Sequence, residues 1–104
     1  MNWAAVLLAA GSASRMGHRP KCLLERDGQA LIRRTALALL DAGIQELVVV
    51  LGHYAQEVAP AVAGLPVTVV INPHPEQGII SSQRLGLQSA LFPYTTLFDL
   101  KSVV

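Results

Sequence analysis

Two strong cations, Arg15 and Lys21, lie in a segment of small residues that directly follows an apolar run. Gly11 and Gly17 divide this segment, and most residues around them are small or polar. The backbone N–H groups of successive small residues can face into a concavity that suits an anion. Arginine adds a planar fork of donors, and lysine adds a compact point charge. The stretch therefore predicts a polyphosphate-binding loop at the end of a first β-strand.

Composition limits the classes of protein to which this chain can belong. Its 104 residues allow one small domain at most. The sequence is 52% hydrophobic and 14% charged, which predicts strands buried on both faces, or apolar surface meant for a missing partner or missing chain. The net charge of +1 gives no general electrostatic basis for binding nucleic acid or an anionic membrane. Any anion site must therefore depend on local placement of cations.

The single cysteine, Cys22, excludes a disulfide framework within the chain and cannot form a metal site alone. The cytoplasm is therefore the expected compartment. An apolar run spans only about residues 3–10, and no basic residue precedes it. It is too short for a membrane helix and does not have the form of a signal peptide, so neither is expected.

Apolar periodicity alternates between strand and helix along the chain. In chain order the pattern predicts a strand at 2–10, a loop at 11–21 with one helical turn near 14–17 as an option, a tight turn at Asp27-Gly28, a helix at 30–42 ended by Gly43, a strand at 46–51, a short helix at 55–63, a strand at 66–71, a rigid loop at 72–75 and a helix from Gly78 onward. This order predicts βαβ units on a parallel sheet.

Ligands of such sheets bind beyond the carboxyl ends of the strands. Three loops should therefore lie together at one edge of the sheet, namely 11–21, 52–54 and 72–82. Residues 92–104 have no clear period, and they form either a short final strand or unrelated sequence that a truncation or frame error has joined to the chain.

The glycine loop fits neither of two common phosphate-binding patterns. Five residues separate Gly11 from Gly17, and His18 follows where a Walker A motif needs lysine. The dinucleotide fingerprint would need glycines where Ala13 and Met16 stand. The three histidines have no metal-ligand spacing. The sequence therefore favours an open loop, in which Arg15 and Lys21 bind the phosphates, over a helix N-terminus that binds a pyrophosphate.

The segment Leu8-Ala-Ala-Gly-Ser-Ala-Ser-Arg-Met-Gly17, followed by Pro20-Lys21 and Leu23-Leu24, resembles the signature of nucleotidyltransferases that activate sugar phosphates, isoprenoid precursors and molybdopterin. The Ala9-Ala10-Gly11 variant is similar to the cytidylyltransferase branch of the molybdenum cofactor guanylyl- and cytidylyltransferases. Further matches are Asp27-Gly28, Ala42-Gly43, Gly52, Asn72, Gln77-Gly78 and Ser81-Ser82. The resemblance covers residues 4 to 91.

This resemblance implies an α/β fold with a three-layer, Rossmann-like parallel sheet of the nucleotide-diphospho-sugar transferase type, truncated here to its N-terminal part. It implies transfer of a nucleotidyl group, CMP from CTP, to a phosphorylated acceptor, molybdopterin. Carried over by position, the backbone of Ala9, Ala10, Gly11 and Ser12 would hold the nucleotide. Arg15 would hold the β- and γ-phosphates, and Lys21 would neutralise the α-phosphate. Gly78 and Ser82 would lie against the base, with Asn72 nearby.

The family also implies Mg²⁺, held partly by an aspartate at the end of a strand after the Ser82 helix. Asp99 follows Leu97-Phe98 but lacks the neighbours of that motif, so the metal ligands remain unassigned. The sequence thus divides into a nucleotide-binding part at 1–91 and a tail at 92–104 that does not match the family. The acceptor-binding half of the family does not match anything in this sequence.

Other interpretations of these residues stay open. Arg15 and Lys21 could be solvated loop charges, Asn72 could form a strand-end turn, and Ser81 or Ser82 could cap a helix. The alternative function is a non-catalytic nucleotide-binding module or an inactive truncated fragment. A dinucleotide-dependent oxidoreductase is a third candidate, but it needs an acidic residue at the end of the second predicted strand, where Gly52-His53 stand.

Overall fold

A computed structural model describes residues 3–9, 15–16, 19–20, 23, 25–90 and 94–99. The elements in chain order are β1 (Trp3–Ala9), β2 (Arg15–Met16), β3 (Arg19–Pro20), β4 (Glu25–Arg26), β5 (Gln29–Ala30), α1 (Leu31–Asp41), β6 (Glu46–Leu51), α2 (Ala55–Val58), β7 (Thr68–Ile71), α3 (Ile79–Ser89) and β8 (Tyr94–Asp99). Short 3₁₀ helices lie at Ala59–Val62 and Pro75–Gln77. The main sheet has the strand order β7-β6-β1-β8, and every pairing in it is parallel.

The two central strands are buried on both faces, as their unbroken apolar sequences predict. Successive side chains of a strand point to opposite faces, so alternate residues enter different cores. On one face lie Ala5, Leu7, Leu47, Val49 and Leu51, and on the other lie Val6, Leu8, Val48 and Val50. All are fully or almost fully buried.

Helices cover each face of the sheet. Ile32 and Ala36 of α1 pack in the first core, together with Val58 of α2 and Val62 of the following 3₁₀ helix. On the other face, α3 crosses the sheet so closely that Gly86 lies directly against Val6 and Val50. The predicted fold class, an α/β three-layer parallel sheet of Rossmann-like type, is therefore confirmed.

Three local predictions need correction. The helix expected at 55–63 is α2 followed by a 3₁₀ helix with Pro60 in its first turn, because proline has no N–H for a continuous helix. The strand expected from residue 66 begins at Thr68, after the Leu65 carbonyl has accepted the Val67 N–H at 2.8 Å. Within the optional helical turn near 14–17, the described residues Arg15 and Met16 are strand β2, whose backbone pairs antiparallel with β3.

Other predicted features are confirmed. Asp27 and Gly28 have φ values of 55° and 80°, which fits a tight turn between paired strands β4 and β5. Gly43 has φ 100° just after α1, as a helix stop requires. In the tail, residues 94–99 form β8, a short final strand that pairs with β1. Among the described helices, none is both long enough and apolar enough to span a bilayer.

Candidate functional site

The strand register brings the predicted ligand loops to one edge of the sheet. Ala9, the last residue of β1, pairs with Leu51 of β6, and Leu51 pairs with Ile71 of β7. Three parallel strands therefore end side by side, about 5 Å apart from neighbour to neighbour. The segments after Leu51 and Ile71 begin at this carboxyl edge, where β1 also ends. The predicted grouping is confirmed for these two segments, whereas most of the glycine loop lies outside the described residues.

Asn72, the first residue after β7, is a buried polar residue with 5% of its surface exposed. Its backbone N–H donates to the Leu51 carbonyl at 2.8 Å, which extends the strand pairing by one residue. Its side-chain Nδ2 donates to the Oγ atoms of Ser81 and Ser82, each at 2.9 Å. Its Oδ1 accepts the backbone N–H of His74 at 2.9 Å. Asn72 thus joins the end of β7 to the first turns of α3.

Gly78 makes the turn into α3 with φ 96° and ψ 178°, a backbone conformation that is essentially confined to glycine. Its N–H donates to the Pro75 carbonyl at 3.2 Å, and its own carbonyl accepts the Ser81 hydroxyl at 2.9 Å. A Cβ placed on Gly78 would meet no atom within 4 Å. Glycine is therefore required here by backbone shape, and the space beside it is open.

The structure brings four of the predicted site residues to the carboxyl edge: Ala9, Asn72, Gly78 and Ser82. The Ala9 side chain packs against the first core, so only its backbone is available to a ligand. Arg15 is placed in β2, opposite Pro20 of β3. The remaining predicted residues, Ala10, Gly11, Ser12 and Lys21, lie outside the described residues.

Two residues of this edge were not predicted as site residues. Ser81 and His74 belong to the hydrogen-bond network of Asn72. The Asn-Pro dipeptide at 72–73 is a turn signal, and two serines near a helix start are a capping signal. Neither signal predicts that the side chains of Asn72, Ser81 and Ser82 meet, because an irregular loop separates Asn72 from the two serines.

Arg33, a cationic side chain away from this edge, has a structural use. Arg33 of α1 donates through Nη1 to the Ala61 carbonyl at 3.2 Å and to the Ala63 carbonyl at 3.0 Å. These bonds tie α1 to the segment after α2. Within the described part of the chain, no group of three or more His, Cys, Asp or Glu side chains could hold a metal ion.

The sequence profile of the MobA-like NTP transferase domain matches residues 5–98. The chain belongs to this family. The match covers most of the chain, including residues 5–9 of β1, the following loop and the Asn72–Ser82 region. It extends to residue 98 in β8, and thus into the tail at 92–104 that the resemblance did not cover. The predicted family is thereby confirmed.

Known proteins similar to this member of the MobA-like family differ in their named activities. The chain is 33% identical over 93 residues to a probable molybdenum cofactor guanylyltransferase of Natronomonas pharaonis, with 88% of this chain and 46% of the relative covered. It is 40% identical over 81 residues to the nicotine blue oxidoreductase of Paenarthrobacter nicotinovorans, with 78% and 40% covered.

The fold is also similar to a solved nucleotidyl transferase from Methanothermobacter thermautotroptrophicus. The TM-score is 0.86 at 34% identity, and the match covers 95% of this chain and 50% of the other. The chain thus spans half or less of the length of each of these three relatives.

Proposed function

We propose that residues 1–91 are the nucleotide-binding part of a nucleotidyltransferase that transfers CMP from CTP to a phosphorylated acceptor. The observation that carries the proposal is the family match over residues 5–98, which includes the glycine loop and the carboxyl edge of the sheet. The named activities of the Natronomonas and Methanothermobacter relatives support nucleotidyl transfer.

The glycine loop is proposed to hold the triphosphate. The backbone of Ala9, Ala10, Gly11 and Ser12 would donate N–H groups to it, because consecutive small residues let the chain approach an anion closely. The side chains of Arg15 and Lys21 would supply the positive charge. Phosphoryl chemistry of this kind depends on positioning and charge neutralisation more than on covalent catalysis.

In the proposed reaction, an oxygen of the acceptor phosphate attacks the α-phosphorus of CTP. A new P–O bond forms there, and the bond from the α-phosphorus to the oxygen bridging to the β-phosphate breaks. Pyrophosphate leaves with that electron pair. Arg15 would hold the β- and γ-phosphates, which become the leaving group, and Lys21 would stabilise the charge that develops at the α-phosphate.

The base is proposed to lie against Gly78, near Asn72 and Ser82. Gly78 has no side chain and faces open space, so a flat ring can approach its backbone. Ser82 is only 2% exposed, and both N–H donors of Asn72 are already used within the protein. We therefore propose that the Gly78 backbone contacts the base directly, and that Ser82 and Asn72 lie behind it and hold the loop in place.

The finer assignments of acceptor, metal and compartment rest on the resemblance. The proposed acceptor is molybdopterin, a choice that the named activity of the Natronomonas relative supports. Mg²⁺ is proposed as the counter-ion of the triphosphate, and the described residues do not supply a cluster of ligands for it. The proposed compartment is the cytoplasm, since one cysteine provides no disulfide framework.

Replacing Gly78 with alanine should weaken CTP binding about tenfold, because φ 96° is strained for any residue with a Cβ and the turn must shift. Gly64→Ala is the matched control, since Gly64 also has a positive φ (84°) and open surroundings but lies away from the carboxyl edge. Calorimetry should show both variants less stable and only Gly78→Ala defective in CTP binding. Equal affinities in the two variants would contradict the placement of the base.

The direct test is release of pyrophosphate by the natural protein, expressed with all the residues that its gene encodes. With CTP, Mg²⁺ and molybdopterin we expect pyrophosphate and a CMP-linked product in equal amounts, and slower release with GTP. Binding of CTP without release would favour the non-catalytic module. Oxidation of NADH or NADPH without pyrophosphate release would favour an oxidoreductase, the activity named for the Paenarthrobacter relative.

A further inference from the structure

The amide of Asn72 has used its donors inside the protein. Its two N–H groups point to two different hydroxyl oxygens, those of Ser81 and Ser82, at 2.9 Å each. An asparagine amide has only two donors, so none is left for a ligand. One lone pair of Oδ1 accepts the His74 N–H at 2.9 Å. At 5% exposure, Asn72 is poorly placed to contact a ligand directly.

The groups joined by Asn72 are those that set the shape of the loop between β7 and α3. His74 opens the loop, and its carbonyl accepts the Gln77 N–H at 3.1 Å. Ser81 closes the loop, because its hydroxyl donates to the Gly78 carbonyl at 2.9 Å. We call the hydrogen-bonded set of Asn72, His74, Ser81 and Ser82 the Asn72 clasp. Gly78 lies between the two ends of the clasp, where the base of the nucleotide is proposed to bind.

We propose that Asn72 is a positioning residue, which sets nucleotide affinity through the clasp and does not touch the nucleotide. The effect on nucleotide affinity rests on the proposed function, whereas the hydrogen bonds of the clasp are observed in the structure. Loss of the two amide donors would break both bonds from Asn72 to the serines and loosen the loop that carries Gly78. A hydrogen bond between buried neutral groups contributes modestly to stability, but a preorganised loop lowers the cost of ordering on binding.

The hydrogen bonds of the clasp predict which substitutions weaken it and which leave it intact. Asn72→Ser keeps a short acceptor for the His74 N–H but removes the two N–H donors. Ser81→Ala removes one acceptor of those donors, and Ser81→Thr restores it. Ser89→Ala is the matched control, since the Ser89 hydroxyl donates to the Leu85 carbonyl at 2.9 Å in the same helix and has no bond to Asn72.

The test measures CTP affinity of each variant of the chain by calorimetry and its thermal midpoint by circular dichroism. We expect Asn72→Ser to weaken CTP binding about tenfold and Ser81→Ala about threefold to fivefold, with near-normal affinity in Ser81→Thr and Ser89→Ala. The double variant Asn72→Ser/Ser81→Ala should lose less CTP affinity than the two single effects together predict, because the bond between Asn72 and Ser81 is lost in each single variant. In the natural protein, KM for CTP should rise while kcat changes less than about twofold.

The outcomes separate this inference from the proposed function. If the folded wild-type chain binds CTP and Asn72→Ser binds it equally well, the positioning role is wrong and the nucleotide site stands. The positioning role is also wrong if Ser89→Ala weakens binding as much as Ser81→Ala, since the effect would then be a general loss of helix stability. If the folded wild-type chain binds no nucleotide, the proposed function fails, and the positioning role fails with it.

Discussion

Lys21→Ala should lower kcat/KM for pyrophosphate release by about 10²- to 10³-fold in the natural protein. The proposed role of Lys21 is to stabilise charge that grows at the α-phosphate as the new bond forms. An interaction that strengthens in the transition state affects kcat, whereas uniform binding affects only KM. We therefore expect most of the loss in kcat, measured with saturating CTP and acceptor.

The chain has one other lysine, Lys101, which serves as the matched control. Lys101→Ala removes the same charge and the same side chain from the tail, so kcat/KM should stay within about twofold of wild type. A loss in Lys101→Ala equal to that in Lys21→Ala would point to net charge as the cause. A kcat unchanged in Lys21→Ala would contradict the role at the α-phosphate.

Gly86→Ala should destabilise the fold although alanine is the better helix former. A Cβ at Gly86 would overlap Cγ1 of Val6 and lie 3.0 Å from Cγ2 of Val50, both fully buried on the central strands. Alanine gains about 1 kcal/mol over glycine in a helix, but overpacking a core costs about 1–3 kcal/mol or more. We expect the free energy of unfolding to fall by about 2 kcal/mol, as measured by urea denaturation.

A compensating change tests the cause of that loss. Val6→Ala removes the methyl group that the new Cβ would meet, at the cost of a small cavity. The double variant Gly86→Ala/Val6→Ala should therefore be more stable than the sum of the two single effects predicts. Additive effects, or a Gly86→Ala variant as stable as wild type, would contradict the close approach of α3 to the sheet.

The parallel sheet and its layers could be predicted because their signals are local. The unbroken apolar sequence of Leu47–Leu51 requires burial on two faces, and the two cores divide its side chains alternately, as the period of a strand requires. The Asp27-Gly28 turn follows equally from residue type, because both residues adopt positive φ. The gathering of loops at one edge then follows from parallel pairing.

Features that depend on tertiary contacts could not be predicted in this way. The residues around Gly86 in the sequence do not predict that it packs against Val6, which lies far earlier in the chain. Arg33 has the sequence context of a solvated helix residue, and its bonds to Ala61 and Ala63 carbonyls depend on how α1 meets the following segment. In both cases the partner is set by packing, and local periodicity does not encode it.

The residues of the candidate site are a prediction from the sequence, and the structure adds the hydrogen bonds that some of them make within the protein. Asn72 and Ser82 were each predicted near the base from the resemblance to the family. Their mutual hydrogen bond, and the participation of Ser81 and His74, arise only once the loop has folded back onto α3. The roles of Arg15 and Lys21 stay predictions, and they carry the charge on which the proposed chemistry depends.

Calorimetric titration of the 104-residue chain with CTP and Mg²⁺ tests most directly whether the chain binds a nucleoside triphosphate at the carboxyl edge of its sheet. We expect saturable binding at one site, weakened in Arg15→Ala, which removes the cation proposed to hold the β- and γ-phosphates, and retained in Lys101→Ala. A correctly folded chain that binds none of the four common nucleoside triphosphates would contradict this expectation.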